Sequence, residues 1–244
     1  MRDIGNPIDR WPVDAAELEA LQRWLAEQTP QPWQPAGPEM SVGGCFVCFP
    51  RGKHGAGAQG DQGWAGAVSM QRGQVTGVAV VSGAARAGYM AGLLALREGP
   101  LLEAALRALP RLPDVVLVNA TGRDHPRRAG LALHLGAKLG LPSIGITDRP
   151  LVAEGDWPPD VRGAMSPVCV EAEVAGRWVR TKGGTRPLVV HAGWRTDVAT
   201  AAAIVMGVVG RARTPEPLRQ ARRLARESRA GKRPAVSITA SEQQ

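Results

Sequence analysis

Residues 114–136, DVVLVNATGRDHPRRAGLALHLG, constrain the fold of this chain more than any other segment. They open with a short β-branched apolar run, VVLV at 115–118, which is typical of a buried strand in a parallel sheet. Asn119 ends that run with a polar side chain. In open α/β sheets, functional residues gather where the carboxyl end of a strand meets the next helix. We therefore predict that residues 119–128 border a site.

A turn and a helix are predicted to follow this strand. Gly122 permits the turn, and Pro126 stands where a first helical residue is favourable, with Asp124 ahead of it as the predicted N-cap. The leucines at 131–135 are separated by small residues, as expected of a helix that packs on a sheet. The segment is thus one strand–turn–helix unit of an α/β fold.

The rest of the chain continues this alternation of strands and helices. Strands are predicted at 41–49, 64–71, 74–82, 143–147, 168–174, 177–181 and 187–192, with hairpin turns at Arg72–Gly73 and Ala175–Gly176. Helices are predicted at 14–28, 90–98, 100–109, 198–209 and after Pro217, with Asp14 and Asp197 as caps. Residues 1–13 are predicted to be disordered.

A chain of 244 residues can bury a full core, and one α/β domain accounts for all of these elements. We assign residues 1–38 to an N-terminal tail, a helix and a proline-rich link, residues 39–232 to a single domain, and residues 233–244 to a C-terminal tail. The glycine-rich stretch at 51–63 lacks the terminal Gly-Lys-Ser/Thr of a phosphate-binding loop, so we interpret it as a flexible connection.

The cysteine count and the apolar runs indicate a cytoplasmic protein without a membrane segment. Three cysteines are too few for a disulfide scaffold, and the N-terminus lacks the apolar core of a signal peptide. Cys45 and Cys48 have CxxC spacing, but residues three apart on a strand point to opposite faces. We therefore predict two core cysteines rather than a redox pair or a metal site.

The charge balance suggests a polyanionic partner. The formal net charge is +8 and the pI is near 10.4, which is typical of proteins that bind nucleic acid. The alternative is that the arginine-rich composition reflects the codon usage of the organism. Residues 211–233 carry nine Lys/Arg against two Glu on a predicted amphipathic helix. We interpret that helix as a solvated surface helix, with phosphate tracking as the alternative.

Four motifs resemble one family. GYMAGLLALREGP at 88–100, VNATGRDHPRRAGLALHLG at 118–136, GLPSIGITDRPL at 140–151 and RTPEPLRQA at 213–221 are similar to motifs of the endonuclease V family. The resemblance extends from about Met40 to Ala221. It implies a ribonuclease H-like α/β fold: a mixed sheet of three antiparallel strands followed by parallel strands, flanked by helices.

The resemblance also implies a reaction. Endonuclease V enzymes recognise deaminated purines, hypoxanthine above all, in DNA or RNA, and use Mg²⁺ to cut the phosphodiester on the 3′ side of the lesion. Hard divalent cations such as Mg²⁺ or Mn²⁺ take oxygen ligands, polarise the phosphate and activate water. The implied partner is therefore DNA or RNA containing a deaminated purine, and the chain is expected to act as a monomer.

This sequence departs from the family at most positions that carry the chemistry. Only the catalytic Glu98 matches. The two aspartates of the family correspond to Cys45 and Asn119, its histidine to Trp194 and its lysine to Asp148. Glu98 and, weakly, Asn119 remain as metal ligands by resemblance. Since Cys is a soft ligand, Asn is neutral and Trp cannot ligate, we expect Mg²⁺ binding to be impaired.

The residues that the resemblance assigns to recognition are better kept. Tyr89 stands at the position of the family's wedge tyrosine, which fills the gap when a base is extracted. The other matched nucleic-acid-binding positions are Gly92, Leu94, Gly122, His125, Arg127, Arg128 and Leu151. The alternative for HPRR and Tyr89 is a purely structural role in stapling the helix.

The sequence leaves three hypotheses open, and with them the question of whether the chain is an enzyme. It is a nucleic-acid or lesion binder that cuts poorly, an active endonuclease with substitute ligands, or an interaction protein that kept only the scaffold. Asp124, Asp148, His191 and Asp197 are the candidate substitutes near strand ends. Each is also explained as a helix cap, a surface charge or a satisfied buried polar residue.

Overall fold

The computed structural model describes residues 6–50 and 57–238. Parts of the predicted N-terminal tail, glycine-rich connection and C-terminal tail lie outside these residues. The elements are α1 (Ala15–Glu27), β1 (Val42–Cys48), β2 (Gln62–Gln71), β3 (Gln74–Ala84), α2 (Leu94–Arg107), β4 (Val115–Val118), α3 (Leu131–Leu139), β5 (Ser143–Thr147), β6 (Met165–Val170), β7 (Glu173–Val179), β8 (Leu188–Ala192), α4 (Val198–Val208), α5 (Glu216–Arg229) and β9 (Val236–Ser237).

One nine-stranded mixed sheet organises these elements, in the order β6-β7-β8-β5-β4-β1-β2-β3-β9. β1, β2 and β3 are antiparallel, whereas β1, β4 and β5 are parallel neighbours. The predicted sheet of antiparallel strands followed by parallel ones is confirmed. β8, however, runs antiparallel to β5, so its carboxyl end lies at the edge opposite to the carboxyl ends of β4 and β5.

Helices cover both faces of the sheet. The largest apolar cluster packs α2 and α3 on the strands β1 to β4, and a second cluster packs α4 on the other face. α5 lies on that second face, against β1 and β2. α1 lies outside α2 and α3, with Leu18 in the largest cluster and Leu21 and Leu25 against α3. None of the described helices is both long and apolar enough to cross a bilayer.

Local signals in the sequence located several boundaries. The side chain of Asp14 accepts a hydrogen bond from the backbone N–H of Glu17 and caps α1. Asp197 caps α4 in the same way. Arg72 and Gly73 both have positive φ, 49° and 76°, as a two-residue hairpin turn requires.

Other predictions were wrong. Residues 94–107 form one helix with Pro100 inside it, because burial of that turn against the sheet outweighs one lost hydrogen bond. α3 begins at Leu131 after Gly130, not at Pro126. The hairpin of β6 and β7 turns at 171–172, with Glu171 at φ 56°, instead of at Ala175–Gly176. α5 begins at Glu216, slightly before the predicted position.

The N-terminal segment is also more ordered than predicted. Trp11 is only 2% exposed, and its ring lies 4.4 Å from that of His134 in α3. Its indole N–H donates to Glu103 of α2. The described part of this segment is thus anchored on the domain by the buried Trp11 and Pro12 rather than disordered, while most of its other residues are exposed.

Candidate functional site

A small cleft lies where the middle of β1 and the carboxyl end of β4 meet the side of α2. Cys45, in the middle of β1, pairs with Val118, the last residue of β4, so it lies near the polar Asn119 that follows. α2 contributes Glu98 and Leu102 from above. The enclosed volume is about 170 Å³, lined by Cys45, Phe46, Val47, Glu98, Leu102 and Asn119. Three of the residues named for the chemistry, Cys45, Glu98 and Asn119, are therefore brought together.

The ionisable groups of this cleft favour their neutral forms. Burial, and secondarily the charge of Glu98, raises the pKa of the Cys45 thiol far above its ordinary value, so it stays protonated. The thiol lies 3.8 Å from the carbonyl oxygen of Leu117, and the side chain is a core cysteine, as predicted. Burial raises the pKa of Glu98 to about 7, against the opposing charge of Arg97.

A divalent cation does not fit this set of donors. Mg²⁺ and Mn²⁺ require several hard, anionic oxygen ligands, whereas the cleft offers one carboxylate, one amide and one soft thiol. In the described parts of the chain, no group of three or more His, Cys, Asp or Glu side chains is arranged to hold a metal. The chemistry of these residues supplies no metal-bound step.

Trp194 does not line the cleft. Because β8 is antiparallel, its carboxyl end lies beside Ser143 at the start of β5, and the Trp194 backbone N–H donates to Ser143 Oγ at 2.8 Å. The indole packs on the cluster formed by α1 and α3. Trp194, matched by resemblance to the family's histidine, therefore lies away from Cys45, Glu98 and Asn119, because the direction of β8 depends on distant pairing partners.

Asp148 lies at the expected edge of the sheet, but its carboxylate is already paired with an arginine. It follows β5, is exposed, and accepts a hydrogen bond from Arg213 Nη1 at 2.7 Å. Asp197 lies at the opposite edge, after β8, and its carboxylate is used to cap α4. Neither aspartate therefore replaces a missing ligand in the cleft.

Asp124 has a role that the sequence did not reveal. It is fully buried, and its carboxylate accepts three backbone N–H groups, from Leu151, Val152 and Ala153, at 2.7–2.8 Å. The prediction that it caps a helix is wrong, because α3 begins seven residues later. Asp124 instead fixes the loop after β5.

His191 lies beside this carboxylate as a neutral, buried side chain. Its Nε2 is 2.8 Å from Thr147 Oγ1, and its Nδ1 is 3.8 Å from Asp124 Oδ2. Burial lowers the pKa of His191, against the raising effect of Asp124. It is a structural partner of the sheet rather than a ligand in the cleft.

His125 and Arg127 fix the loop between β3 and α2. Both side chains reach the carbonyl oxygen of Gly92, His125 through Nε2 at 3.0 Å and Arg127 through Nη2 at 3.1 Å. Arg127 also donates to Gln22 of α1 at 2.6 Å. Burial, with the charge of Arg127 in the same direction, lowers the pKa of His125 to about 4, so the imidazole is neutral.

The remaining recognition candidates surround this loop. Tyr89 is 50% exposed between β3 and α2, and Leu151 is 46% exposed on the loop held by Asp124. Leu94 is half-buried at the first turn of α2. Gly122 is buried, and a Cβ there would lie 2.0 Å from the Ala192 carbonyl oxygen. Arg128 adopts a φ of 55° and pairs with Glu173.

One group of charged residues at this edge was missed. Arg222 of α5 donates through Nη2 to Asn119 Oδ1 at 3.4 Å, and both it and Arg226 lie over the ring of Phe46. The sequence suggested a solvated helix face. The position of Arg222 in the sequence was the signal that could have located it. Ala221, Leu224 and Ala225 form the buried stripe of α5, and Arg222 borders that stripe.

Comparisons with known proteins agree over nearly the whole chain. The family model for endonuclease V matches residues 34–223. The endonuclease V of Roseiflexus castenholzii is 36% identical over 221 residues, covering 90% of this chain and 95% of that protein. The crystal structure of endonuclease V from Streptomyces avermitilis has a TM-score of 0.81 at 33% identity, covering 91% of this chain and 95% of that one.

A more distant structure shares the fold. It is the Ciona intestinalis endonuclease V in complex with a 24mer DNA containing an inosine followed by a ribo-adenosine. Its TM-score is 0.70 at 22% identity, with coverage of 89% of this chain and 98% of that one.

Proposed function

Because the chain belongs to the endonuclease V family, we propose that it binds DNA or RNA containing a deaminated purine and that its own cleavage of the strand is impaired. One observation carries this proposal. The cleft beside the carboxyl end of β4 contains a single carboxylate, Glu98, between a neutral thiol and an amide.

The binding half of the proposal rests on two loops with exposed apolar side chains. Tyr89 projects from one loop and Leu151 from the other, and each is half exposed. The neighbouring residues His125 and Asp124 hold these loops through hydrogen bonds. Extracting a base requires an inserted side chain and a firm pocket, and rigidly anchored loops meet that requirement.

The impaired half rests on charge. Metal-assisted phosphodiester hydrolysis needs carboxylates that neutralise and position divalent cations. The amide of Asn119 contributes no charge, and burial keeps the Cys45 thiol protonated. Glu98 is the one carboxylate among the residues that line the cleft, so the cleft supplies at most one negative charge to a cation. We therefore expect binding without efficient turnover.

A gel experiment tests both halves. End-labelled DNA and RNA oligonucleotides, with and without one hypoxanthine, are incubated with the protein in EDTA, Mg²⁺ and Mn²⁺. We expect retarded, uncut oligonucleotides with a preference for hypoxanthine, and loss of that preference in Tyr89→Ala. Efficient cutting on the 3′ side of the lesion that disappears in Glu98→Gln would overturn the impaired half. Equal affinity for all oligonucleotides would overturn the lesion preference.

A further inference from the structure

α5 lies unusually close to the sheet. Its contact strands carry glycine where the helix passes: a Cβ on Gly44 would lie 2.4 Å from the carbonyl carbon of Pro217, and a Cβ on Gly66 would lie 2.6 Å from the oxygen of Ala221. Helix and strand backbones therefore touch, which requires residues without side chains. This close approach brings Arg222, on the next position of the helix, to the strand ends that border the cleft.

The Arg222 guanidinium is held at that edge with donor capacity to spare. It contacts Asn119 Oδ1 at 3.4 Å, and its Cζ lies 4.9 Å from the centroid of the Phe46 ring. Its Nε is buried and has no hydrogen-bond partner among residues 6–50 and 57–238. A guanidinium has five N–H donors in a planar fork, and the half-buried Arg222 makes only the long contact to Asn119 among the described residues, so its terminal Nη groups keep donor capacity for an acceptor.

The charges around Arg222 are predominantly positive. Arg226 lies over the same ring at 5.9 Å. The nearby carboxylate of Asp148 is already paired with Arg213 at 2.7 Å. The mutual repulsion of neighbouring guanidinium groups is relieved by an anion with several acceptor oxygens.

We infer that Arg222, assisted by Arg226, binds a phosphodiester group of the nucleic acid beside Asn119, in place of the divalent cation that the cleft does not fit. The identification of the anion as nucleic acid rests on the proposed function. Arginine is suited to this task because its fork matches two phosphate oxygens. A direct consequence is that binding requires no divalent cation.

A second consequence concerns the cleft itself. The 3.4 Å contact joins the guanidinium to the side chain at position 119. An aspartate introduced there would form an ion pair with Arg222 instead of offering its oxygens to a metal. Restoring carboxylates in place of Cys45 and Asn119 is therefore insufficient while Arg222 remains.

The first experiment measures affinity in EDTA for a fluorescent single-stranded oligonucleotide. Arg222→Gln is compared with Arg223→Gln, which removes the same charge from an exposed side chain of the same helix that pairs with Glu227. We expect Arg222→Gln to lose about tenfold in affinity and to reduce the salt slope by about 1, with Arg223→Gln close to wild type. Arg222→Lys, which keeps the charge, should recover part of the loss. Equal affinities of the Arg222→Gln and Arg223→Gln variants overturn the inference.

The two proposals fail separately in this assay. If hypoxanthine confers no preference but Arg222→Gln still lowers the affinity for every oligonucleotide, the phosphate site is supported and the lesion function is overturned. If the preference for hypoxanthine is unchanged and Arg222→Gln binds the oligonucleotides as tightly as the wild type, the phosphate site is overturned and the lesion function is supported.

The second experiment measures Mn²⁺ binding by electron paramagnetic resonance, without any substrate. The variant Cys45→Asp/Asn119→Asp is compared with the same variant carrying Arg222→Ala, after thermal unfolding has shown that both fold. We expect the triple variant to bind Mn²⁺ at least about tenfold more tightly, because the ion pair no longer competes. Equal Mn²⁺ affinity would show that Arg222 does not compete for that position.

Discussion

Two regions on either side of β4's carboxyl end differ in how their polar groups are used. In the loop at residues 122–130, Asp124 and His125 are buried and bonded to backbone groups of two other loops. In the cleft, burial raises the pKa values of Cys45 and Glu98, and Asn119 faces an arginine. The polar side chains of the loop position the chain through hydrogen bonds. In the cleft, burial disfavours the charged forms of the polar groups, which lowers the stability of the fold.

This difference separates two requirements at one edge of the sheet. The loops are held by hydrogen bonds from Asp124 and His125 to backbone groups. Metal binding depends on the summed charge of a few ligands, and the residues that line the cleft include one carboxylate. Shape and charge are therefore separable properties of this edge of the sheet.

The largest expected effect on stability comes from removing the Asp124 carboxylate, which holds the loop. Asp124→Ala leaves three N–H groups without their acceptor, one of them buried and two part-buried, and we expect a loss of about 3–5 kcal/mol in the free energy of unfolding, measured in urea. The matched control is Asp148→Ala, whose carboxylate is exposed and makes one surface ion pair. It should change stability by about 1 kcal/mol or less. Similar losses in the two variants would contradict the positioning role.

Asp124 also shows how far the sequence could lead. Local signals were sufficient where partners are near in sequence, as for the caps Asp14 and Asp197 and the turn at Arg72–Gly73. The partners of Asp124 are 27–29 residues away in the sequence. The local pattern therefore predicted a helix cap, whereas the carboxylate makes a long-range contact.

The same reason explains the errors in the candidate site. Cys45, Glu98 and Asn119 could be grouped from the sequence because they follow the family's motifs along strands and a helix. Trp194 could not be placed, since the direction of β8 is fixed by pairing with β5 and β7. The contact of Arg222 with Asn119 spans 103 residues and depends on glycine positions in two strands.

His134 lies outside the cleft and allows a comparison of how burial shifts the pKa of an unpartnered group and thereby lowers stability. Both of its ring nitrogens are buried without a hydrogen-bond partner among the described residues, and burial lowers its pKa to about 3. The unfolded chain therefore takes up a proton first, near pH 6.5, and stability declines as the pH falls from 6.5 towards 3.

His134→Leu should remove that part of the acid sensitivity. We expect its stability to match or exceed that of the wild type at pH 7, and to be about 2–3 kcal/mol greater relative to wild type at pH 4.5. Urea unfolding at several pH values measures both. Parallel stability profiles for the two proteins would show that His134 is not held neutral in the fold.

Glu98→Gln tests the cleft side directly. Burial raises the folded pKa of Glu98 to about 7, so its contribution to stability is most favourable below about pH 4.5 and is lost as the pH rises through 7. We expect the variant to be more stable than the wild type by about 1–2 kcal/mol at pH 8.5, with the difference shrinking towards pH 5. A variant that is less stable at pH 8.5 would mean that the carboxylate is well partnered.

The smallest effect on stability separates folding from binding at Arg128. This residue is held at a φ of 55° and pairs with Glu173, whose side chain is 78% exposed. Glu173→Ala should change stability by about 0.5 kcal/mol or less, because exposed ion pairs contribute little. The same change frees the guanidinium, so nucleic-acid affinity should rise and the salt slope should steepen by about 1 if a phosphate takes the carboxylate's place. Fluorescence anisotropy at several salt concentrations gives both values. Unchanged affinity would assign Arg128 to the shape of the loop.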